Sequence, residues 1–229
     1  MLSIAVIGSK GYVGSEIFKA LEKSSQNSIV GVTRENYDQM KNQAYDILIN
    51  CAMPSGRFWA KQKPEQDFIE TVTKTANLLK EWKFKKFIQI STVSARTQLD
   101  TVYGKHKAEA EALCNFGDNF IFRLGAIYSE NSKKGALADI LAGKKVYVSA
   151  ESKYSFIKLK FCAEWIALHL DRSGTVELGG KNAITLNEIA KHLGKNIEFE
   201  GEVFNLEVED SEKDLPEAKE VLNFLDTLK

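Results

Sequence analysis

Tyr103 and Lys107, four positions apart in the run Tyr103-Gly104-Lys105-His106-Lys107, have the residue types and the spacing for proton transfer. On a helix that spacing brings two side chains to one face. A free phenol has a pKa of about 10, too high for easy proton exchange at neutral pH, and a neighbouring ammonium stabilises the phenolate. Such a tyrosine can give a proton to a carbonyl oxygen as hydride reaches its carbon, or take one in the reverse direction. Upstream, the apolar run Phe87-Ile88-Gln89-Ile90 ends in Ser91-Thr92-Val93-Ser94, hydroxyls that can hold a substrate oxygen beside Tyr103. Tyrosine and lysine are both common, so the pair takes its weight from the order of features around it.

The first of those features is Gly8-Ser9-Lys10-Gly11-Tyr12-Val13-Gly14, directly after the apolar run Ser3 to Ile7. Glycines there permit a tight turn and close approach of backbone to a pyrophosphate, while backbone N–H groups and a helix N-terminus form the anion site. Gly8, Lys10, Gly11, Tyr12, Val13 and Gly14 are the cofactor-binding candidates. An ordinary strand-to-helix turn could carry the same glycines, but the position at the start of a βαβ unit favours a nucleotide. For NAD, a carboxylate at the end of the second strand would accept from the ribose 2′-hydroxyl. The sequence there reads Val30-Gly31-Val32-Thr33-Arg34, and the first carboxylate is Glu35. Thr33 and Arg34 suit a 2′-phosphate through a hydroxyl contact and a charge-assisted fork, which points to NADP with NAD as the alternative. Arg34 as a solvated loop residue stays open.

These residues need a frame, and the hydrophobic pattern supplies one. Ser3–Ile7, Ser28–Val32, Asp46–Cys51, Lys86–Ile90 and Asn119–Leu124 read as short strands, several of them nearly all apolar, as in a parallel sheet covered on both faces. Helical stretches at Gly14–Leu21, Asp67–Trp82 and Tyr103–Leu113 alternate with them. The expected class is α/β, a Rossmann-like doubly wound parallel sheet with a small C-terminal substrate-binding region. The segment from Arg34 to Tyr45 shows no full helix. After Tyr128 the rhythm changes through a polar stretch, Ser129 to Gly135, so residues 1–128 are assigned to the dinucleotide-binding domain and 129–229 to a substrate-covering region partly interleaved with the main sheet. Thr185-Leu186-Asn187-Glu188 is a capping box opening a helix to about Leu193, and Leu215 to Leu228 has helical periodicity behind Pro216.

Composition narrows the partners. With 31 basic and 31 acidic side chains, the chain offers no net charge to attract nucleic acid or an anionic membrane. Cys51, Cys114 and Cys162 are odd in number and lack a Cys-x-x-Cys pair, against a disulfide framework or zinc site. The apolar N-terminal run is too short for a signal peptide or a membrane span, so a cytoplasmic location is expected.

Taken in order, the glycine turn, Asn50-Cys51-Ala52 after an apolar strand, the hydroxyl-ended strand, Tyr-x-x-x-Lys and Phe122-Arg123-Leu124 resemble the extended short-chain dehydrogenase/reductase family, the NAD-dependent epimerase/dehydratase group. The resemblance implies action on nucleotide-linked sugars. It places Gly8, Gly11 and Gly14 in the cofactor loop and Cys51 and Ala52 in a cofactor-side segment. It makes Thr92 the catalytic hydroxyl, with Ser91 a structural serine before it, and Tyr103 and Lys107 the catalytic pair, Lys107 also bonding the nicotinamide ribose. It further implies a homodimer through helices of the main domain, and likens Tyr154–Ile157, the helix Phe161–Leu170 and Thr185–Leu193 to the family's approach to its substrate region. Three departures stand out: ten residues separate Thr92 from Tyr103, Leu124-Gly125 replaces a proline-containing segment, and 229 residues is short for the group.

The expected activity is NADP-dependent reduction of a keto group on a nucleotide-activated sugar or similar small carbonyl compound. The alternatives are an NAD-dependent epimerase and a non-catalytic NADP-sensing protein; Val93-Ser94 supplies no carboxylate for dehydration. Several residues receive a plain structural reading. His106 reads as a partly exposed helix residue, and His169 and His192 lack partners at metal spacing, so no metal is proposed. Phe58, Trp59 and Phe68 read as core more readily than as pocket. Met53, Pro54 and Ser55 are weak substrate contacts, and Lys83, Lys85 and Lys86 a solvated surface before a strand.

Overall fold

A computed structural model of the chain describes residues 1–24, 26–132, 134–209 and 214–228; Lys133 of the polar stretch lies outside the described residues. The chain divides into two compact units, Met1–Arg123 with Lys160–Val176, and Leu124–Leu159 with Glu177–Lys229.

The first unit opens with β1 (Ser3–Ile7), α1 (Tyr12–Ser24), β2 (Ser28–Val32), α2 (Tyr37–Lys41), β3 (Ala44–Asn50), α3 (Arg57–Gln62), α4 (Pro64–Phe68), α5 (Lys74–Glu81), β4 (Lys83–Thr92), α6 (Ser94–Thr97), α7 (Val102–Cys114) and β5 (Phe120–Leu124). The order in the main sheet begins β2-β1-β3-β4-β5, and β1 pairs in parallel with both β2 and β3. Strand order therefore reverses at β1, and the crevice at such a switch point is where open α/β sheets take ligands. Register makes the strands end together: Ile7 lies opposite Val32 and Asn50, and Asn50 opposite Gln89 of β4. Ile4, Ala5, Val6, Leu48, Ile49, Phe87 and Ile88 are all fully buried, as a sheet covered on both faces requires.

Three local differences from the sequence expectation have physical reasons. The helix expected from Asp67 begins instead at Pro64, which has no N–H to lose in a first turn, and Ile69–Thr73 winds as a π-turn between α4 and α5. β4 starts at Lys83: its lysines belong to the strand, exposed at Lys83 and Lys85 and part-buried at Phe84 and Lys86, the two-residue period of a pleat. Phe58 and Phe68 are exposed rather than core, and Trp59 is part-buried.

The remaining elements are β6 (Ala126–Tyr128), α8 (Ala136–Leu141), β7 (Lys153–Tyr154), β8 (Phe156–Lys158), α9 (Leu159–Leu168), β9 (Gly174–Leu178), β10 (Ile184–Thr185), α10 (Leu186–His192), β11 (Asn205–Leu206) and α11 (Glu220–Asp226). β9 returns to the main sheet beside β5 as its sixth strand. In the second unit β6 pairs in parallel with β8, and β7 lies between β10 and β11. The capping box forms: Thr185 accepts from the Glu188 amide at 3.1 Å and the Glu188 carboxylate from the Thr185 amide at 2.8 Å. No described helix is long and apolar enough to cross a membrane.

Candidate active site

The glycine turn is built by steric necessity at two positions. Gly8 has φ +79°, a conformation L side chains rarely adopt. Gly14, in the first turn of α1, lies so close to the turn that a Cβ would stand 2.2 Å from the Gly8 carbonyl oxygen and 3.1 Å from Cys51 Cβ. The Gly8 amide donates to Val32 O at 3.0 Å and the Cys51 amide to Ile7 O at 3.0 Å, so the turn is pinned between the ends of β2 and β3. Tyr12 and Val13 form the first turn of α1, the end of a helix that favours an anion. The turn suits a pyrophosphate: backbone can approach closely at Gly8 and Gly14, and the N-terminus of α1 would favour the anion. Nicotinamide chemistry, hydride transfer, is what a dinucleotide held there would supply.

Beside the turn is a cleft of about 750 Å³ lined by Ser9, Lys10, Phe18, Gly31, Thr33 and Glu35 among others. Lys10 Nζ lies 2.9 Å from Glu35, and the Thr33 hydroxyl donates to the same carboxylate at 2.9 Å. These two contacts, Lys10 first, hold the Glu35 carboxyl below its ordinary range. Arg34 is exposed and lies outside that lining. Across the crevice, the Ala52 amide donates to the Asn50 side chain at 3.1 Å, and buried Asn50 donates to Gln89 at 3.1 Å.

Thr92 ends β4, and Tyr103 and Lys107 lie on α7, whose N-cap Thr101 accepts from the Gly104 amide at 3.0 Å. The Thr92 hydroxyl is among the groups that act on the Tyr103 phenol. Burial pushes the phenol's pKa up; the Arg57 guanidinium and the Thr92 hydroxyl pull it down, and the Asp67 charge raises it. Lys107 is 2% exposed, with Nζ 5.2 Å from the centre of the Tyr103 ring and donating to Pro54 O at 2.7 Å. Burial pushes the ammonium down to about 7, against the opposing charges of Asp67 and Glu111. The cation that directly favours the phenolate is thus Arg57, whose Nη2 lies 3.3 Å from Ser94 Oγ, and Ser94 in turn contacts Thr92 at 3.4 Å.

The structure therefore gathers Gly8, Lys10, Gly11, Tyr12, Val13, Gly14, Thr33, Cys51 and Ala52 around the glycine turn, and sets Thr92 at the end of β4 with Tyr103 and Lys107 on α7, while Arg34 is exposed outside the cleft lining. Three residues go beyond the sequence reading. Glu111 accepts from Ser91 at 2.5 Å and forms a forked pair with Arg123, at 2.6 Å and 3.0 Å, joining β4, α7 and β5. Arg57 follows the Ser55-Gly56 turn, a cation at the carboxyl edge that its position alone could have flagged. Asp67 meets His106 at 2.7 Å, so His106, the partly exposed helix residue expected from the sequence, also has a buried carboxylate as partner.

A switch-point crevice suited to a dinucleotide beside Thr92, Tyr103 and Lys107 defines the class, an NAD(P)-dependent oxidoreductase-type enzyme. The chain belongs to the NAD dependent epimerase/dehydratase family, whose sequence profile matches residues 4–122. Among solved structures it is similar to dTDP-4-dehydrorhamnose reductase from Bacillus anthracis in complex with NADP, at 15% identity and TM-score 0.74 over 99% of this chain and 100% of that one. A dTDP-4-dehydrorhamnose reductase from Clostridium acetobutylicum is similar at 17% identity and TM-score 0.74, covering 99% of each chain. UDP-glucose 4-epimerase from Thermotoga maritima with UDP-glucose follows at 15% identity and TM-score 0.71, over 99% of this chain and 100% of that one. A search of curated proteins returns no match.

Proposed function

We propose that the chain is an NADP-dependent reductase of a keto group on a nucleotide-activated sugar or a similar small carbonyl compound. The observation that carries this reading is the placing of Tyr103 and Lys107 one turn apart on α7, with Lys107 Nζ 5.2 Å from the centre of the Tyr103 ring, together with Thr92 at the end of β4. Tyr103 donates its proton to the carbonyl oxygen, and Thr92 orients that oxygen and the phenol. Arg57 stabilises the charge left on Tyr103, and Lys107 would bond the ribose of the cofactor. Reduction is favoured over epimerisation because Thr33, Arg34 and Lys10 are suited to a 2′-phosphate. The similarity to a dTDP-4-dehydrorhamnose reductase in complex with NADP supports the same reading.

A second reading rests on Glu35. Its carboxylate lines the cleft beside Thr33 and could accept from a ribose 2′-hydroxyl, which would suit an NAD-dependent epimerase. Fluorescence titration with NADPH and NADH separates the two. The reductase reading expects clearly tighter NADPH binding, a difference that Arg34→Ala removes. It also expects NADPH oxidation with a keto-sugar nucleotide, falling about 10²-fold to 10⁴-fold in Tyr103→Phe. Equal or tighter NADH binding, or NAD carried through purification, would give the lead to the epimerase. The homodimer is tested by sedimentation, where a mass equal to one chain would reject it.

A further inference from the structure

Asp67 is a buried carboxylate beside the proposed proton-transfer pair that the reaction as described does not use. It is 0% exposed, and its Oδ2 lies 2.7 Å from His106 Nδ1, three positions after Tyr103 and one before Lys107. Phe68 packs edge-on against the same imidazole, with ring centres 5.4 Å apart. The other oxygen, Oδ1, is enclosed with no hydrogen-bond partner among the described residues. Leaving a buried carboxylate oxygen unpaired is costly, and such a group in a folded protein calls for a function.

The charges facing Lys107 show what that function is. On its own helix are Tyr103 and Glu111, and Glu111 is committed to Arg123 at 2.6 Å and to Ser91. From the loop after β3 comes only the neutral Pro54 carbonyl, and β4 offers hydroxyls at Ser91 and Thr92. Arg57 of α3 faces Tyr103 and Ser94. From α4 comes Asp67, whose charge reaches both Tyr103 and Lys107.

We propose that Asp67, oriented by His106, is a positioning residue that supplies the counter-charge keeping Lys107 an ammonium and Tyr103 a protonated phenol. The inference rests on the reading of Tyr103 and Lys107 as the proton-transfer pair. Burial alone disfavours the ammonium, and Asp67 is the first of the two carboxylates opposing that effect. The same negative charge disfavours ionisation of Tyr103. Both effects hold the pair in its proton-loaded form, the form that gives a proton to a carbonyl oxygen, so Asp67 biases the site toward reduction.

The test needs neither substrate nor cofactor. Protein labelled with ¹³C at lysine Cε is titrated by NMR, with the Lys107 signal assigned by its loss in Lys107→Arg. In wild type the expected midpoint is about 7. Asp67→Asn should lower it by about one pH unit or more. An unmoved midpoint in folded Asp67→Asn overturns the proposal. If that variant does not fold, His106→Ala and His106→Gln decide. The glutamine amide can still donate to Asp67 and should keep the wild-type midpoint, whereas alanine should lower it; equal midpoints in the two variants overturn the proposal. A shifted midpoint in a protein that reduces no carbonyl compound would sink the functional reading and leave the Asp67 coupling standing. An unmoved midpoint in an active reductase would do the opposite.

Discussion

Lys107 Nζ donates to the carbonyl oxygen of Pro54 at 2.7 Å, tying the helix that carries Tyr103 to the loop leaving β3. The bond fixes an ammonium where a solvated loop would otherwise leave it free to swing, and it does so at a cost in desolvation.

That cost gives a pH-dependent stability with a definite sign. The folded pKa of Lys107 is pushed down to about 7, whereas an unfolded lysine titrates near 10.4. Between those values the unfolded chain binds the extra proton, so this group makes stability rise with pH across that window. Below about pH 7 the whole penalty is present, on the order of 5 kcal/mol. Lys107→Met should therefore melt higher than wild type at pH 6, and the difference should shrink by pH 10. A difference that stays constant across the range would contradict the buried ammonium.

Glu111 anchors the site from behind. Its forked pair with Arg123 is largely enclosed, with the Glu111 side chain 6% exposed and that of Arg123 22%. Removing one partner of such a pair costs about 3–5 kcal/mol, because the other keeps its charge without this counter-ion. Glu111→Ala should lower Tm by roughly 6–20 °C on the slope usual for a chain of this size. It should also loosen Ser91 at the end of β4. Thermal denaturation by circular dichroism measures it; a shift under 2 °C would mean the pair is nearly neutral.

Gly14→Ala tests the turn itself. The added Cβ would stand 2.2 Å from the Gly8 carbonyl oxygen, a backbone atom that cannot move without disturbing the bonds from Gly8 and Ser9 to Val32. Overpacking of this kind costs about 1–3 kcal/mol, and displacing the turn should weaken NADPH binding by about tenfold or more. Titration of the folded variant checks it, and unchanged affinity would remove the glycine turn from the cofactor site.

Where sequence and structure agree, the signal was local. β1 and β2 fall at their expected residues because their apolar runs are bounded by glycine and polar residues, and the Thr185 capping box forms because its partners are three positions apart. The five-residue α2 is too short to show a period, and the π-turn at Ile69–Thr73 leaves none. Asp67 and His106 lie 39 positions apart, and nothing in either stretch announces the other. Arg57 was legible as a cation at the carboxyl edge of the sheet, but its effect on Tyr103 exists only once α3 and α7 are folded. Phe58 misled for the opposite reason: its type argued for burial, while the helix places it on the exposed side.

The choice between NADP and NAD turns on one exposed carboxylate. Glu35 shares the cleft with Lys10 and Thr33 and engages both at 2.9 Å, so it occupies the groups that a 2′-phosphate would need and adds a negative charge against it. If NADP is the ligand, Glu35 must give up Lys10 when the phosphate arrives, and the exchange limits affinity. Glu35→Gln keeps the hydrogen-bonding shape, removes the charge and frees the ammonium. NADPH should then bind several-fold tighter while NADH changes little, and the gain should shrink between about 50 mM and about 500 mM salt because Lys10 and Glu35 are both solvated. If NAD is the ligand, the same substitution removes the acceptor for the ribose 2′-hydroxyl and NADH binding weakens instead. The two cofactor assignments thus predict opposite signs for a single substitution, read by fluorescence titration with both dinucleotides.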